Sequence, residues 1–228
     1  MSLINSIFAR LFHRGKQNEP DDTSTNSVTE MKYLIACLGN IGAEYDNTRH
    51  NIGFKIADRL AKDLDGAFVT SRLAQVAELR FKGKTLVVIK PTTYMNASGR
   101  AVKYWLDYEK VPMENLLVVN DDIALPLGTL RLRKQGADGG HNGLTDIIEK
   151  LGTNVFCRLR FGLGNDFPRG RQIDFVLGQT VGHLEADVVA RVLILSTDVS
   201  QTGNQVFHFV RFVVFPSSEN PCKNMINY

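Results

Sequence analysis

The sequence predicts an α/β domain in which a twisted, mixed β-sheet is flanked by helices. Three observations carry that prediction. Short uninterrupted apolar runs, Tyr33–Leu38 and Leu116–Val119, have the length and composition of strands buried on both faces. Between them stand segments whose apolar residues recur at helical spacing. The two kinds of segment alternate along the chain, the order expected when helices cover a largely parallel sheet.

Taken in order, YLIACL at 33–38 ends at Gly39 and forms the first strand. Ile52, Ile56, Ala57, Leu60, Ala61 and Leu64 then share one face of a helix over 51–64. Ala74–Phe81 and Thr85–Ile89 flank Lys82-Gly83-Lys84, a hairpin signature. Ser98 stands where a side-chain oxygen caps a helix, here one carrying Val102, Trp105 and Leu106. LLVV at 116–119 is a second buried strand and runs into Asn120-Asp121-Asp122. Leu130 and Leu132 alternate with Arg131 and Arg133, as on a half-exposed strand. Leu144, Ile147, Ile148 and Leu151 form a helical stripe that Gly152 ends. Arg158–Leu163 alternates basic and apolar residues and is a further strand. Leu184, Val188, Val189, Val192 and Leu193 suggest a last helix, and the β-prone run Val206–Phe215 has no place that pattern alone assigns.

The two ends differ from this pattern. Residues 1–30 join a short basic amphipathic stretch (Ile4, Ile7, Phe8, Leu11 and Phe12 with Arg10, Arg14 and Lys16) to a polar linker that has too few apolar groups to build a core. The expected division is a disordered or amphipathic leader and linker over 1–30, a single α/β domain over 31–196 and a divergent tail over 197–228. No apolar run reaches the ~18 residues that a membrane-spanning helix needs. Cys37, Cys157 and Cys222 are too scattered for a disulfide framework or a zinc site, so a reducing compartment, the cytoplasm, fits best. The net charge is only +3, which speaks against a tail-driven nucleic-acid binder. Residues 1–30 hold three basic and four acidic side chains, so the remaining chain carries +4, with Arg131, Arg133, Lys134, Arg158 and Arg160 concentrated on two strands.

The polar residues gather where buried strands end, the edge at which open α/β sheets bind ligands. Gly39-Asn40-Ile41-Gly42, Tyr45 and Thr48-Arg49-His50 follow the first strand. Pro91 to Asn96 follows the Thr85–Ile89 strand, Asn120-Asp121-Asp122 follows LLVV, and the glycine-rich stretch 136–143 precedes a helix. The first loop lacks the spacing of a dinucleotide fingerprint and the lysine of a phosphate loop; it reads as a tight turn exposing Asn40. The 136–143 stretch is either a flexible loop or a cradle of backbone amides for an anion or carbonyl oxygen. Together the clusters supply one histidine, one aspartate and several asparagines. An aspartate orients an imidazole and favours its basic form, and asparagine amides donate to an oxyanion or accept from a substrate N–H. No nucleophile elbow and no metal-ligand spacing occurs, so the economical reading is hydrolysis by a histidine-activated water, without metal or cofactor.

The segments LGNIGAEYDNTRHNIGF, KPTTYMNASG, NDDIALPLG and GGHNGL resemble those of bacterial peptidyl-tRNA hydrolases, in matching order and spacing over about Lys32 to Gly178. The resemblance implies a single α/β domain that hydrolyses the ester between a peptide and the 3′-terminal ribose of tRNA. It implies that His50 is the general base, that Asp121 stabilises its basic form and that Asn40 tells blocked from free aminoacyl ends. It implies substrate contacts for Tyr45, Tyr94, Asn96 and Asn142, with Met95 lining the peptide side, and a hold on the tRNA 5′-phosphate for Arg133 and Arg160. It further implies a cytoplasmic monomer with peptidyl-tRNA as partner, no obligate protein partner and no membrane. Ile41, Asn120, Ala124 and Tyr94 depart from frequent family residues (proline, histidine, an acid and phenylalanine) and remove no catalytic group. A non-catalytic RNA-binding module on the same fold is the alternative; a small-substrate esterase is disfavoured by the basic strand residues.

Overall fold

The apolar runs become the centre of one seven-stranded sheet. The structure is a computed structural model that describes residues 31–178. Its strands are β1 (Lys32–Cys37), β2 (Val69–Ser71), β3 (Ala74–Phe81), β4 (Lys84–Pro91), β5 (Leu116–Asp122), β6 (Leu130–Arg133) and β7 (Cys157–Gly162). Its helices are α1 (Ile52–Asp63), α2 (Ser98–Glu109), α3 (Asn142–Leu151) and the short α4 (Gln172–Val176). The strand order is β2-β3-β4-β1-β5-β7-β6. The four central strands β4, β1, β5 and β7 are parallel; β2, β3 and β6 add antiparallel edges. The expected leader over 1–30, the last helix around 184–193, the run 206–215 and the tail 197–228 lie outside the described residues. Among the described residues no helix is long and apolar enough to cross a membrane.

Both faces of the sheet are covered, which is why the central strands read as unbroken apolar runs. Tyr33, Ile35 and Cys37 of β1 face α1, where Ile52, Ile56, Ala57 and Leu60 meet them. Leu34, Ala36 and Leu38 face the other way, onto Val102, Trp105 and Leu106 of α2 and Leu144 and Ile147 of α3. The β3–β4 hairpin turns on Lys82 and Gly83, both at positive φ, as a two-residue hairpin of this hand requires. Gly152, at φ 69°, ends α3. Ser98 behaves differently from expectation. It is the first residue of α2 and its hydroxyl donates to the Met95 carbonyl at 2.8 Å, while the first-turn N–H of Gly99 donates to Asp146 of α3 at 2.6 Å.

Parallel strands end on the same side, so the loops after β1, β4, β5 and β7 emerge along one edge. One glycine sets how close α1 comes to that edge. A Cβ on Gly53 would collide with the Leu38 carbonyl oxygen. With only hydrogen there, the start of α1 sits against the end of β1. The 3-10 turn Arg49–Asn51 that precedes α1 is thereby carried to the end of β5.

Candidate active site

The last residues of β5 supply the centre of the site. Asp121 is 4% exposed and accepts from two imidazoles. His50 Nδ1 lies 2.9 Å from each Asp121 oxygen. His141 Nε2 lies 2.9 Å from Asp121 Oδ1. The His50 and His141 rings stand 5.2 Å apart, centroid to centroid. Burial by itself raises the Asp121 pKa, but the attraction to His141 and the hydrogen bonds from His141 and His50 outweigh it and hold the carboxyl well below the usual carboxylate range. An anionic carboxylate only accepts, so the proton on His50 is on Nδ1 and its Nε2 keeps a lone pair. His50 lines a cleft of about 90 Å³ together with Asp122, Asn142, Arg160 and, from α4, Ile173. Arg49 ties α4 down beside it. Its guanidinium donates to the Phe175 carbonyl at 3.0 Å and stacks 4.5 Å from that ring's centre.

His141 is the participant that sequence reasoning left without a role. Its Nδ1 accepts from the backbone N–H of Gly143 at 3.1 Å and of Leu144 at 3.3 Å, capping α3. The signal was its place one residue before the first turn of a helix, a position where side-chain acceptors concentrate. The same bonds correct an expectation. The 136–143 stretch is not an open cradle for an anion. The Gly143 and Leu144 amides go to His141, and the Gly140 and His141 amides go to Asp138.

His50, Asp121 and His141 also present three ligand-type atoms within 4.8 Å of one another. Their proton arrangement opposes a metal there. Two amide donors on His141 Nδ1 force its proton onto Nε2, the atom that would have to coordinate. Moving that proton to Nδ1 would set it against two N–H groups.

Asn40 is oriented as firmly. Its backbone N–H donates to Asn51 Oδ1, Asn51 Nδ2 donates back to its carbonyl, and its own Oδ1 accepts from the Met95 N–H, each at 2.8 Å. It is therefore mostly buried rather than displayed on a turn. The Met95 N–H fixes the side-chain oxygen, and the Asn40 NH₂ donates to no protein group among the described residues. It borders a second, roomier cleft of about 330 Å³, with Phe54, Gln75, Lys90 and Thr92 on the far walls. The expected residues thus fall into groups. His50, Asp121, Asn142 and Arg160 share one cleft, and Asn40 opens on the neighbouring one. Met95 is packed in the core, against the position where Gly143 leaves room for its sulfur, and acts on Asn40 through its backbone N–H. Tyr94 and Asn96 are exposed beside it, and Tyr45 is half-buried in the loop before His50.

The basic strands need one correction. Arg131 pairs across the β6–β7 ladder with Arg160, and Arg133 with Arg158, so all four side chains leave one face. Arg158, however, is 1% exposed. It donates to the carbonyls of Ala137 and Asn154 at 3.0 Å each and lies over the Phe156 ring. It holds the loops in place and does not reach solvent phosphates. Arg160 forms an ion pair with Asp122, whose other oxygen accepts from the Ala124 N–H. Arg131 is exposed and Arg133 half-buried. Among the described residues neither forms an ion pair.

An imidazole with a free Nε2, backed by a buried anionic aspartate at the edge of an α/β sheet, defines a hydrolase that activates water. The comparisons with known proteins narrow this further. A family model described as peptidyl-tRNA hydrolase matches residues 34–205; the match runs past Gly178, where the resemblance was expected to stop. The chain belongs to the peptidyl-tRNA hydrolase family. It is 60% identical over 148 residues to the peptidyl-tRNA hydrolase of Phocaeicola vulgatus, covering 65% of this chain and 79% of that protein. It is 56% identical over 149 residues to that of Parabacteroides distasonis, covering 65% and 80%. The crystal structure of peptidyl-tRNA hydrolase from Acinetobacter baumannii superposes with a TM-score of 0.65 at 32% identity, covering 71% of this chain and 84% of that one.

Proposed function

We propose that the protein hydrolyses the ester between a peptide and the 3′ end of tRNA by water that His50 activates. The observation that carries the mechanism is the His50 Nδ1–Asp121 pair, which leaves Nε2 as the free acceptor in the cleft. Water donates a proton to Nε2 as its oxygen attacks the ester carbonyl carbon. The imidazolium that forms is stabilised by Asp121. The tetrahedral intermediate collapses by breaking the bond to the ribose 3′-oxygen, which takes the proton back from Nε2. The products are a free peptide carboxylate and tRNA, and the imidazole is restored. Asn142, on the same cleft, is the donor within the site for the developing oxyanion, and Tyr45, Tyr94 and Asn96 are contacts for the rest of the substrate. We read the protein as a cytoplasmic monomer. The direct test is release of a labelled N-acetyl-aminoacyl group from tRNA, with the unblocked ester as control. No release by folded protein would favour the RNA-binding alternative.

Asn40 gives the discrimination a physical basis. With its oxygen held by the Met95 N–H, the Asn40 amide offers its NH₂ to the acyl carbonyl that every blocked amino end possesses. A free α-ammonium has only donors to offer and leaves both groups unpaired. Asn40→Asp keeps the acceptor for the Met95 N–H but replaces the donor with a carboxylate oxygen. The expected result is a fall of about 10-fold or more in kcat/KM for the blocked ester, the scale of one lost hydrogen bond with an acceptor left unpaired. The unblocked ester gains relative to it. Unchanged preference between the two esters would remove Asn40 from this role.

Arg133 and Arg160, with Arg131 beside them, are the groups we assign to the tRNA backbone. Each phosphate contact releases a counterion, so Arg133→Ala should weaken tRNA binding and lower the slope of log K against log salt by about 1. Titrations at several salt concentrations measure this; an unchanged slope would exclude a phosphate contact.

A further inference from the structure

We propose that His141 is a positioning residue for the reaction: an imidazole locked by the start of α3, whose Nε2–H fixes the Asp121 carboxylate and limits its pull on His50. The inference rests on the hydrolase reading above and adds a residue that the reading does not use. His141 Nδ1 accepts from Gly143 and Leu144, so its single proton is on Nε2 and points at Asp121 Oδ1. His141 therefore donates to Asp121 through a bond that the start of α3 holds in place.

Asp121 Oδ1 is shared between the two imidazoles. The bond from His141 pins the carboxylate plane, and through it the His50 ring. It also takes up part of the negative charge that would otherwise be directed at His50 alone. The other charged groups on this cleft are Asp122, Asp138 and Arg160, and Asp122 is neutralised by Arg160. Arg49 lies next to His50 in the chain, engaged with Phe175. None of these donates to Asp121, so His141 is its one fixed donor besides His50 among the described residues. The consequence has a definite sign. Without His141, an uncompensated carboxylate stabilises the protonated His50 more strongly, and the base is occupied by a proton at higher pH.

The test separates this role from capping. In His141→Asn the amide oxygen takes the place of Nδ1 and asparagine is a favourable N-cap, so α3 keeps its start. The shorter side chain does not reach Asp121. The expected result is thermal unfolding close to that of the parent protein, a fall of kcat on N-acetyl-aminoacyl-tRNA of about 10-fold or more with little change in KM, and an acid limb of the pH–rate profile displaced to higher pH. His141→Gln, whose amide carries an acceptor and a donor about as far apart as the two imidazole nitrogens, should recover part of the rate. A folded His141→Asn protein with parental kcat and an unmoved acid limb would overturn the proposal, and so would a lower kcat with an unmoved limb. Nitrogen-15 NMR of the imidazoles in the parent protein provides an independent readout. His141 should keep its proton on Nε2 while His50 titrates, and a proton on Nδ1 would also overturn the proposal. Absence of turnover by the parent protein would instead sink the hydrolase reading, leaving the NMR result to decide the tautomer.

Discussion

His50→Ala is expected to lower kcat for hydrolysis of N-acetyl-aminoacyl-tRNA by at least ~100-fold, the low end of what a positioned base contributes, while tRNA binding survives. The substitution is structurally mild. His50 sits in a 3-10 turn whose backbone bonds do not involve its side chain, and the ring is 13% exposed at the edge of the cleft. The fold loses two contacts to one carboxylate and no core volume. The catalytic loss is large because, among the described residues, His50 is the imidazole on Asp121 whose second nitrogen is left to accept from water. His141 cannot substitute: both its nitrogens are committed. Single-turnover release from tRNA with saturating enzyme measures the chemical step, and a parallel binding titration measures the complex. Turnover within a few fold of the parent protein would sink the histidine-base mechanism.

The second large effect is expected at Asp121→Asn, about 100-fold or more in kcat by loss of the correct tautomer. Two imidazole N–H groups donate to this side chain. An asparagine offers one oxygen and one NH₂ in their place. If the oxygen faces His141, the NH₂ meets His50 Nδ1 and drives its proton to Nε2, the nitrogen that must accept from water. If the oxygen faces His50, the NH₂ opposes the locked His141 N–H. Stability changes with pH in a direction set by the carboxyl itself. In the unfolded chain an aspartate titrates near ~3.9; in the folded protein Asp121 is held well below that. Its contribution is therefore complete above the unfolded value and is lost as pH falls below it toward the folded value. Asp121→Asn should cost stability at pH ~7, by an amount that shrinks progressively below pH ~4, where the parent protein itself begins to lose the term. Chemical denaturation at several pH values checks this, and a stability difference independent of pH would show that Asp121 is not the depressed carboxyl described.

Much of the fold was legible because it is written in local periodicity. YLIACL and LLVV became β1 and β5 because a strand buried on both faces needs an apolar residue at every position. The stripes at 52–60 and 144–151 became α1 and α3 because one helical face meets the sheet. The elements that pattern missed have little apolar content to reveal them. All three residues of β2 are exposed, and α4 spans five residues with none buried. The Ser98 cap failed for a related reason. The serine fits the local rule, but a 3-10 turn from Met95 reaches the helix first and takes the hydroxyl as a donor.

The chemistry divides in the same way. The sequence alone determined a mixed-sheet α/β domain with His50, Asp121 and Asn40 gathered where buried strands end, because residue type and position along the pattern are local properties. Which atom does what was decided by contacts between segments far apart in the chain. His50 meets Asp121 across 71 residues, and Asn40 is turned by Met95 across 55. Arg158 has the sequence pattern of surface charge, but the carbonyls of Ala137 and Asn154 enclose it. The glycine-rich loop, a flexible loop or an anion cradle by its sequence, gives the Gly143 and Leu144 amides to His141. In each case the physical reason is the same. Hydrogen bonds saturate, and a side chain's remaining donor or acceptor is known only once the packed structure has shown which of the others are already used.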